Sequence, residues 1–348
     1  MTIDLKRGIS WRPPEGCHRI ETIDAHTGGE PFRVILSGYP ELEGRTILEL
    51  RRSALDHHDA LRTSLMWEPR GHADMYGCVL VPPEREEADF GILFLHNEGY
   101  STMCGHGIIA ITTVVLETGM LPATGPETEV RIDTPAGLVV ARGKMEGGRV
   151  TSVAFTNVPS FVLLSDQEVQ VPGLGTVRYD VAFGGAFYAF VDAAEVGVTL
   201  GPESFQQLID KGMAIKRAVI AAGGITHPFE EDLGFLYGTI FTGGALSEGA
   251  DSRNVCIFAE GEVDRSPTGT GVSARAAIHR GRGEFGLREE MVVESIIGSR
   301  FSVRVLEDTT FGPFPAVIPE VEGSASITGR HEFVIDSDDP LRDGFIQR

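Results

Sequence analysis

Apolar positions broadly alternate from residue 20 to 38, at Ile20, Ile23, Phe32, Val34 and Leu36, and the alternation breaks at His26-Thr27-Gly28-Gly29. That pattern predicts two strands joined by a glycine loop. Between 41 and 67 the spacing turns helical, through Ile47, Leu48, Leu50, Leu55, Leu61 and Leu65, and stops before Pro69. Strands are expected at 76–82 and 90–96. The next helix carries Ile108, Ile109, Ile111, Val114, Val115 and Leu116, is apolar on nearly every face, and ends at Gly119. A helix that is hydrophobic all round is normally a buried one. Residues 128–157 read as strands split by Pro135-Ala136-Gly137 and by Gly147-Gly148.

The second half repeats the plan. Strands are expected over 175–193, a long helix over 203–222, strands at 236–242 and 253–259, and a helix over 269–281. The tail adds strands near 291–306 and 324–335. At the centre of each half a strand leads through a short turn and a Gly-x-Gly into a helix. The first such stretch is Ser101-Thr102-Met103-Cys104-Gly105-His106-Gly107, and the second is Asp264-Arg265-Ser266-Pro267-Thr268-Gly269-Thr270-Gly271. A chain of 348 residues exceeds the usual single-domain range, so two domains are expected, with a boundary at Asn157-Val158-Pro159-Ser160.

Composition adds limits to this picture. The 43 glycines exceed the usual roughly 7% and fit a strand-rich fold with tight turns and bare backbone near a ligand. A net charge of −20 disfavours nucleic acid and anionic membranes as partners, because both need a basic face. An anionic substrate would then be held by local donors such as helix N-termini. No apolar run is long enough to span a bilayer, and Met1 to Pro13 has no apolar core of a signal peptide. Cys17, Cys78, Cys104 and Cys256 form no C-x-x-C and no dense framework, so a reducing, cytoplasmic setting is expected.

The chemistry concentrates where the two central helices begin. The first N–H groups of a helix have no intrahelical partner, and the helix dipole places partial positive charge there. A thiol at that point, Cys104, is expected to have a lowered pKa, and the same donors can hold a carboxylate. Two such ends facing each other would clamp one carboxylate, with Cys104 and Thr268 on opposite faces of its α-carbon. The competing reading of Cys104 is a buried structural thiol. Gly105-His106-Gly107 and the apolar helix behind them favour a site. Thr268 by type alone is an ordinary N-cap. Asp264 is either a turn residue or a carboxylate placed to receive an ammonium group. Cys78 and Cys256, in apolar strands, are expected in the core.

Two other readings are weaker. Gly105-x-Gly107-x-x-Ala110 and Gly269-x-Gly271-x-x-Ala274 match a dinucleotide pattern, but in the first copy Asn97 to Met103 separate the glycines from the strand. Cys104 and His106 could ligate zinc, yet no second cluster at metal spacing supports them, and no metal is expected.

The two central stretches resemble the proline racemase family. So do His26-Thr27-Gly28-Gly29-Glu30-Pro31, Arg70-Gly71-His72-Ala73-Asp74-Met75-Tyr76-Gly77, His96-Asn97-Glu98-Gly99-Tyr100 and Phe183-Gly184-Gly185-Ala186-Phe187. The resemblance runs over essentially the whole chain. It implies an α/β (α+β) fold of the diaminopimelate epimerase-like kind: two pseudosymmetric domains, each a curved mixed sheet wrapped around a central helix. In that fold the C-terminal segment returns to the first domain. The implied division is 1–158 plus about 325–348 (with Cys104), and 159–324 (with Asp264 and Thr268).

Racemases and hydroxyproline epimerases of this family carry a cysteine in both motifs, whereas this chain has Thr268 in the second. The resemblance therefore implies catalysis by Cys104 with Thr268 opposite, as in family members that dehydrate trans-3-hydroxy-L-proline without a cofactor. By motif position, the N–H groups of Gly105, His106, Gly269 and Thr270 would hold the carboxylate. Asp264, with His106, would meet the ring nitrogen, and Tyr76 and Phe258 would be aromatic walls. The implied partner is a small imino acid, and a homodimer is common in the family. The alternatives are 4-hydroxyproline 2-epimerisation or proline racemisation, and a non-catalytic imino-acid binder on the same scaffold.

Overall fold

The computed structural model describes residues 3–347; residues 1, 2 and 348, the extreme ends of the expected first domain, lie outside the described residues. A short helix absent from the sequence expectations, α1 (Leu5–Ile9), is capped by Asp4 and buries no residue. Strands β1 (His18–Thr27) and β2 (Glu30–Ser37) form the expected pair. Both turn residues, Gly28 and Gly29, have positive φ (59° and 94°), which a two-residue hairpin turn of this kind demands. Helix α2 (Ile47–Met66) opens on a reciprocal cap between Thr46 and Glu49. It is followed by β3 (Tyr76–Val81), β4 (Phe90–His96) and β5 (Gly99–Ser101). Helix α3 (Gly105–Glu117) is buried from Gly105 through Leu116, as its all-round apolar surface requires. Strands β6 (Glu127–Thr134), β7 (Gly137–Glu146) and β8 (Arg149–Thr156) then run antiparallel in succession.

The chain continues through β9 (Ser160–Val171), β10 (Gly175–Phe183), β11 (Phe187–Asp192), α4 (Phe205–Ala222), β12 (Leu236–Gly244), β13 (Ser252–Phe258) and β14 (Glu262–Val263). Helix α5 (Gly269–Gly281) leads to β15 (Glu290–Glu294), β16 (Arg300–Phe311), β17 (Phe314–Gly323) and β18 (Ala325–Ile335). Four strands were not anticipated, the short β5 and β14 and the longer β9 and β17. The outer part of β9, at residues 165–168, is polar and exposed, which hides a strand that pairs with β10. Pro315 and Pro319 argue against a strand over β17, but Pro319 faces a register shift between Val305 and Glu307, and a bulge is where a sheet accommodates proline.

The topology runs one series twice. In the first pass β2 and β3 pair in parallel across α2, and β4 and β6 pair in parallel across α3. In the second, β11 and β12 do so across α4, and β13 and β15 across α5. Strand β9 lies beside β10, and β18 takes the matching place beside β1. Helix α3 packs on β1, β7, β8 and β18, and α5 on β9, β10, β16 and β17. Each central helix is thus sheathed by strands along its body, with its N-terminal end turned toward the other.

Candidate active site

Cys104 occupies the N-cap of α3 in an extended conformation (φ −142°, ψ 105°), and the Gly107 N–H donates to its sulfur at 3.2 Å. The sulfur takes the place that an oxygen fills in ordinary caps. His106 Nδ1 lies 3.2 Å and Nε2 3.6 Å from Sγ. Burial lowers the His106 pKa to about 3, so this imidazole is neutral. The expectation of an acidified thiol is not met. Burial pushes the Cys104 pKa well up and the Asp264 carboxylate adds to that, while the Gly107 N–H and the Tyr76 phenol pull it down. The helix end acts in the expected direction, but loss of water around the sulfur outweighs it.

Thr268 holds the equivalent place before α5, in a different conformation. Its φ of 68° and ψ of 91° lie where β-branched residues are outliers, a strain of about 1–3 kcal/mol. Contrary to the N-cap reading, its side chain caps nothing, and Oγ1 is buried without a hydrogen bond of ordinary geometry. The loop before it is tied internally. The Ser266 N–H donates to Asp264 Oδ1 at 2.7 Å, and the Thr268 N–H donates to Ser266 Oγ at 3.1 Å. Asp264 is buried, and burial raises its pKa to about 6 against the hydrogen bonds from Ser266.

The two helix ends touch through glycine. A Cβ added to Gly105 would sit 2.5 Å from Gly269 Cα, and one added to Gly269 would sit 2.7 Å from Gly105 Cα. No side chain fits at either position without moving backbone. The unpartnered N–H groups of both first turns therefore converge. They meet at a small cavity lined from both helix ends.

All nine residues expected at the site line that cavity: Cys104, Gly105 and His106 on the α3 side, Asp264, Thr268, Gly269 and Thr270 on the α5 side, and Tyr76 and Phe258 as walls. Tyr188, Tyr237 and Cys256 line it as well and were not anticipated as site residues. Tyr188 Oη lies 2.7 Å from Thr270 Oγ1, and the Tyr237 ring stacks on Phe258 at 5.3 Å. Cys256 is fully buried in β13, as a core thiol should be, but it shares a strand face with Phe258 two residues on. That period of two was the signal available for it. Nothing in the chain order marks Tyr188 or Tyr237, which reach the site through pairing of β11 and β12.

A clasp links the loop before α5 to the first half of the chain. Arg265 Nη1 donates to Asp74 Oδ2 at 2.6 Å, and the Arg265 N–H donates to Glu30 Oε2 at 2.7 Å. Glu30 is fully buried, and burial, reinforced by Asp264, raises its pKa well above the usual carboxylate range. Asp264 lines the cavity, and a carboxylate there suits a cationic ring nitrogen. The helix N-termini suit a carboxylate.

Residues 22–346 match the family model described as proline racemase. The chain belongs to the proline racemase family. Within that family it is 47% identical over 341 residues to a trans-3-hydroxy-L-proline dehydratase of Colwellia psychrerythraea, covering 97% of this chain and 96% of the relative. It is 48% identical over 337 residues to a trans-L-3-hydroxyproline dehydratase of Xenopus tropicalis, covering 96% and 97%. The crystal structure of a hydroxyproline epimerase from Agrobacterium vitis, with bound trans-4-hydroxy-L-proline, superposes with a TM-score of 0.90 at 33% identity, covering 95% of each chain. The mixed α/β fold expected from the sequence is therefore the family's fold.

Proposed function

We infer that this member of the proline racemase family is a hydro-lyase that converts trans-3-hydroxy-L-proline to Δ1-pyrroline-2-carboxylate without a metal or organic cofactor. The observation that carries the reading is the pairing of Cys104 with Thr268 across one small cavity. Family members that invert the α-carbon place a thiol at both positions. Relatives named as dehydratases, nearly half identical over almost the full chain, support the same choice.

In trans-3-hydroxy-L-proline the hydroxyl lies opposite the carboxylate, on the ring face that carries the α-hydrogen. A base on that face is enough. The N–H groups of Gly105, His106, Gly269 and Thr270 hold the carboxylate, and Asp264 receives the ring ammonium. That cation also offsets the desolvation that keeps Cys104 protonated, so substrate itself favours the thiolate. Cys104 removes the α-proton, the 3-hydroxyl leaves, and the resulting enamine tautomerises to the cyclic imine. Thr268 supplies a polar, non-titrating neighbour on the second face. A cytoplasmic location, a homodimer, and division of the chain into 1–158 plus 325–348 and 159–324 belong to the same reading.

A second reading, 2-epimerisation of a hydroxyproline, is favoured by one observation: the Cys256 thiol lines the cavity beside Thr268. Chiral and mass analysis of products separates the two. Loss of one water from the trans-3-hydroxy substrate, with the cyclic imine as product, is the expected outcome. An isomer of unchanged mass, formed at a comparable rate and lost in Cys256→Ala, overturns it in favour of the epimerase.

A further inference from the structure

Hydroxide is a poor leaving group, so a dehydratase needs an acid on the face from which the hydroxyl departs. We propose that Tyr76 is that acid, its phenol protonating the 3-hydroxyl on the Cys104 side of the ring; this rests on the dehydratase reading.

Tyr76 opens β3 and is only 2% exposed, with its ring at the cavity wall beside Cys104. Its position is fixed from three directions. The ring stacks on His96 at 5.6 Å, its cross-strand partner in β4, meets the His106 ring edge-on at 4.8 Å, and lies 6.4 Å from Phe32. The phenol oxygen meets two other hydroxyls, Ser101 Oγ in a short contact and Tyr237 Oη at 3.2 Å. A wall residue needs none of this. An oxygen that gains negative charge as it gives up a proton needs it, because both neighbours can then turn their O–H groups toward it. Ser101 lies at the end of β5, three residues before Cys104, so one stretch of chain sets base and acid together. Burial keeps the Tyr76 phenol protonated at neutral pH, as an acid must be.

The other polar groups fit less well. His106 is neutral, and protonating it needs a pH near 3. Asp264 and Thr268 belong to the opposite helix end, and Tyr188 is engaged with Thr270 there. Tyr237 touches the Tyr76 oxygen and acts through it.

The step balances. The Cα–H bond breaks as S–H forms on Cys104, its electron pair becomes the new C–C π bond, and the C3–O bond breaks. The departing oxygen takes the phenolic proton and leaves as water. The Cys104 thiol then returns its proton to the Tyr76 phenolate, restoring both groups. The α-hydrogen of the substrate thus ends in water or solvent, and no external reactant is consumed.

Tyr76→Phe keeps the ring and removes the acid. In D2O with trans-3-hydroxy-L-proline, the variant is expected to lose roughly 100-fold or more in kcat for imine formation, within the range of general acid catalysis, with KM little changed. It should still exchange the α-hydrogen for deuterium with retained configuration, because Cys104 is intact. Tyr237→Phe, which leaves Tyr76 in place, should lower kcat about ten-fold and shift the pH profile. Dehydration by Tyr76→Phe within about three-fold of the parent overturns the proposal. So does parallel loss of dehydration and exchange, which would mean that the phenol serves only the thiol. Failure of the unaltered enzyme to dehydrate this substrate instead removes the dehydratase reading and the proposal with it, and Tyr237→Phe keeps the test open should Tyr76→Phe not fold.

Discussion

The N-termini of α3 and α5 share a Gly-x-Gly and abut through Gly105 and Gly269, yet they are built on opposite terms. At the α3 end Cys104 sits in relaxed extended backbone and its sulfur is satisfied by the Gly107 N–H. At the α5 end Thr268 is held at φ 68°, and its hydroxyl makes no cap. One end seats a thiol at a helix N-terminus; the other holds a strained residue whose hydroxyl caps nothing. The difference teaches that pseudosymmetry in the backbone can carry asymmetric chemistry. On the proposed reading, a duplicated helix end supplies two halves of an anion cradle, while a single position in each copy decides what is done to the ligand.

Substitutions can break this contrast. The largest effect is expected from Cys104→Ser, which should reduce dehydration at least ~10³-fold while calorimetry still registers substrate binding, because a hydroxyl is a far weaker base. Dehydration at near the parental rate would place the base elsewhere.

Asp264→Asn sharpens the α5 side. The carboxyl is held near 6 rather than 3.8 by burial, so its charged form destabilises the fold. That penalty is fully present above pH 6, shrinks as pH falls, and is gone below about 4. The variant should therefore be more stable to denaturant at pH 8, by on the order of 2–3 kcal/mol, with the gain vanishing near pH 4. Its affinity for the imino acid should fall. Equal stability of the two proteins at pH 8 would show the carboxylate to be compensated.

Thr268→Gly removes a β-branched residue from left-handed backbone and should stabilise the free protein by about 1 kcal/mol in denaturant unfolding. No such gain is expected at Cys104, whose φ suits any residue. Smallest in absolute rate is the effect of Thr268→Cys. It should add slow inversion at the α-carbon, read by chiral chromatography, because it restores a second thiol. Intact binding with no inversion would argue that Thr268 does not face the α-carbon.

Much of this was legible in the sequence because the signals are local. The all-apolar run from Ile108 to Leu116 announced a buried helix, and the bounds of α5, 269–281, followed from the glycines that flank it. What stayed hidden depends on pairing between distant segments. Strand β17 carries prolines that a sequence reading takes as breakers, and Pro319 is accommodated where its partner strand bulges. Tyr188 and Tyr237, 49 positions apart in sequence, reach the cavity through adjacent strands, Tyr188 pairing with Gly238. The strain at Thr268 and the balance of desolvation against helix dipole at Cys104 are properties of burial, and no motif encodes them.

The pairing of β18 with β1 has a consequence for biosynthesis. The ribosome delivers the Cys104 half first, but the strand that covers the outer flank of β1 is made only after α5 and β15–β17. Until Ala325–Ile335 emerges, that half has an open sheet edge along β1 and an incomplete sheath around α3. The half synthesised first is thus completed only when β18 is in place, and loss of that strand would strike the scaffold of Cys104 rather than that of Thr268.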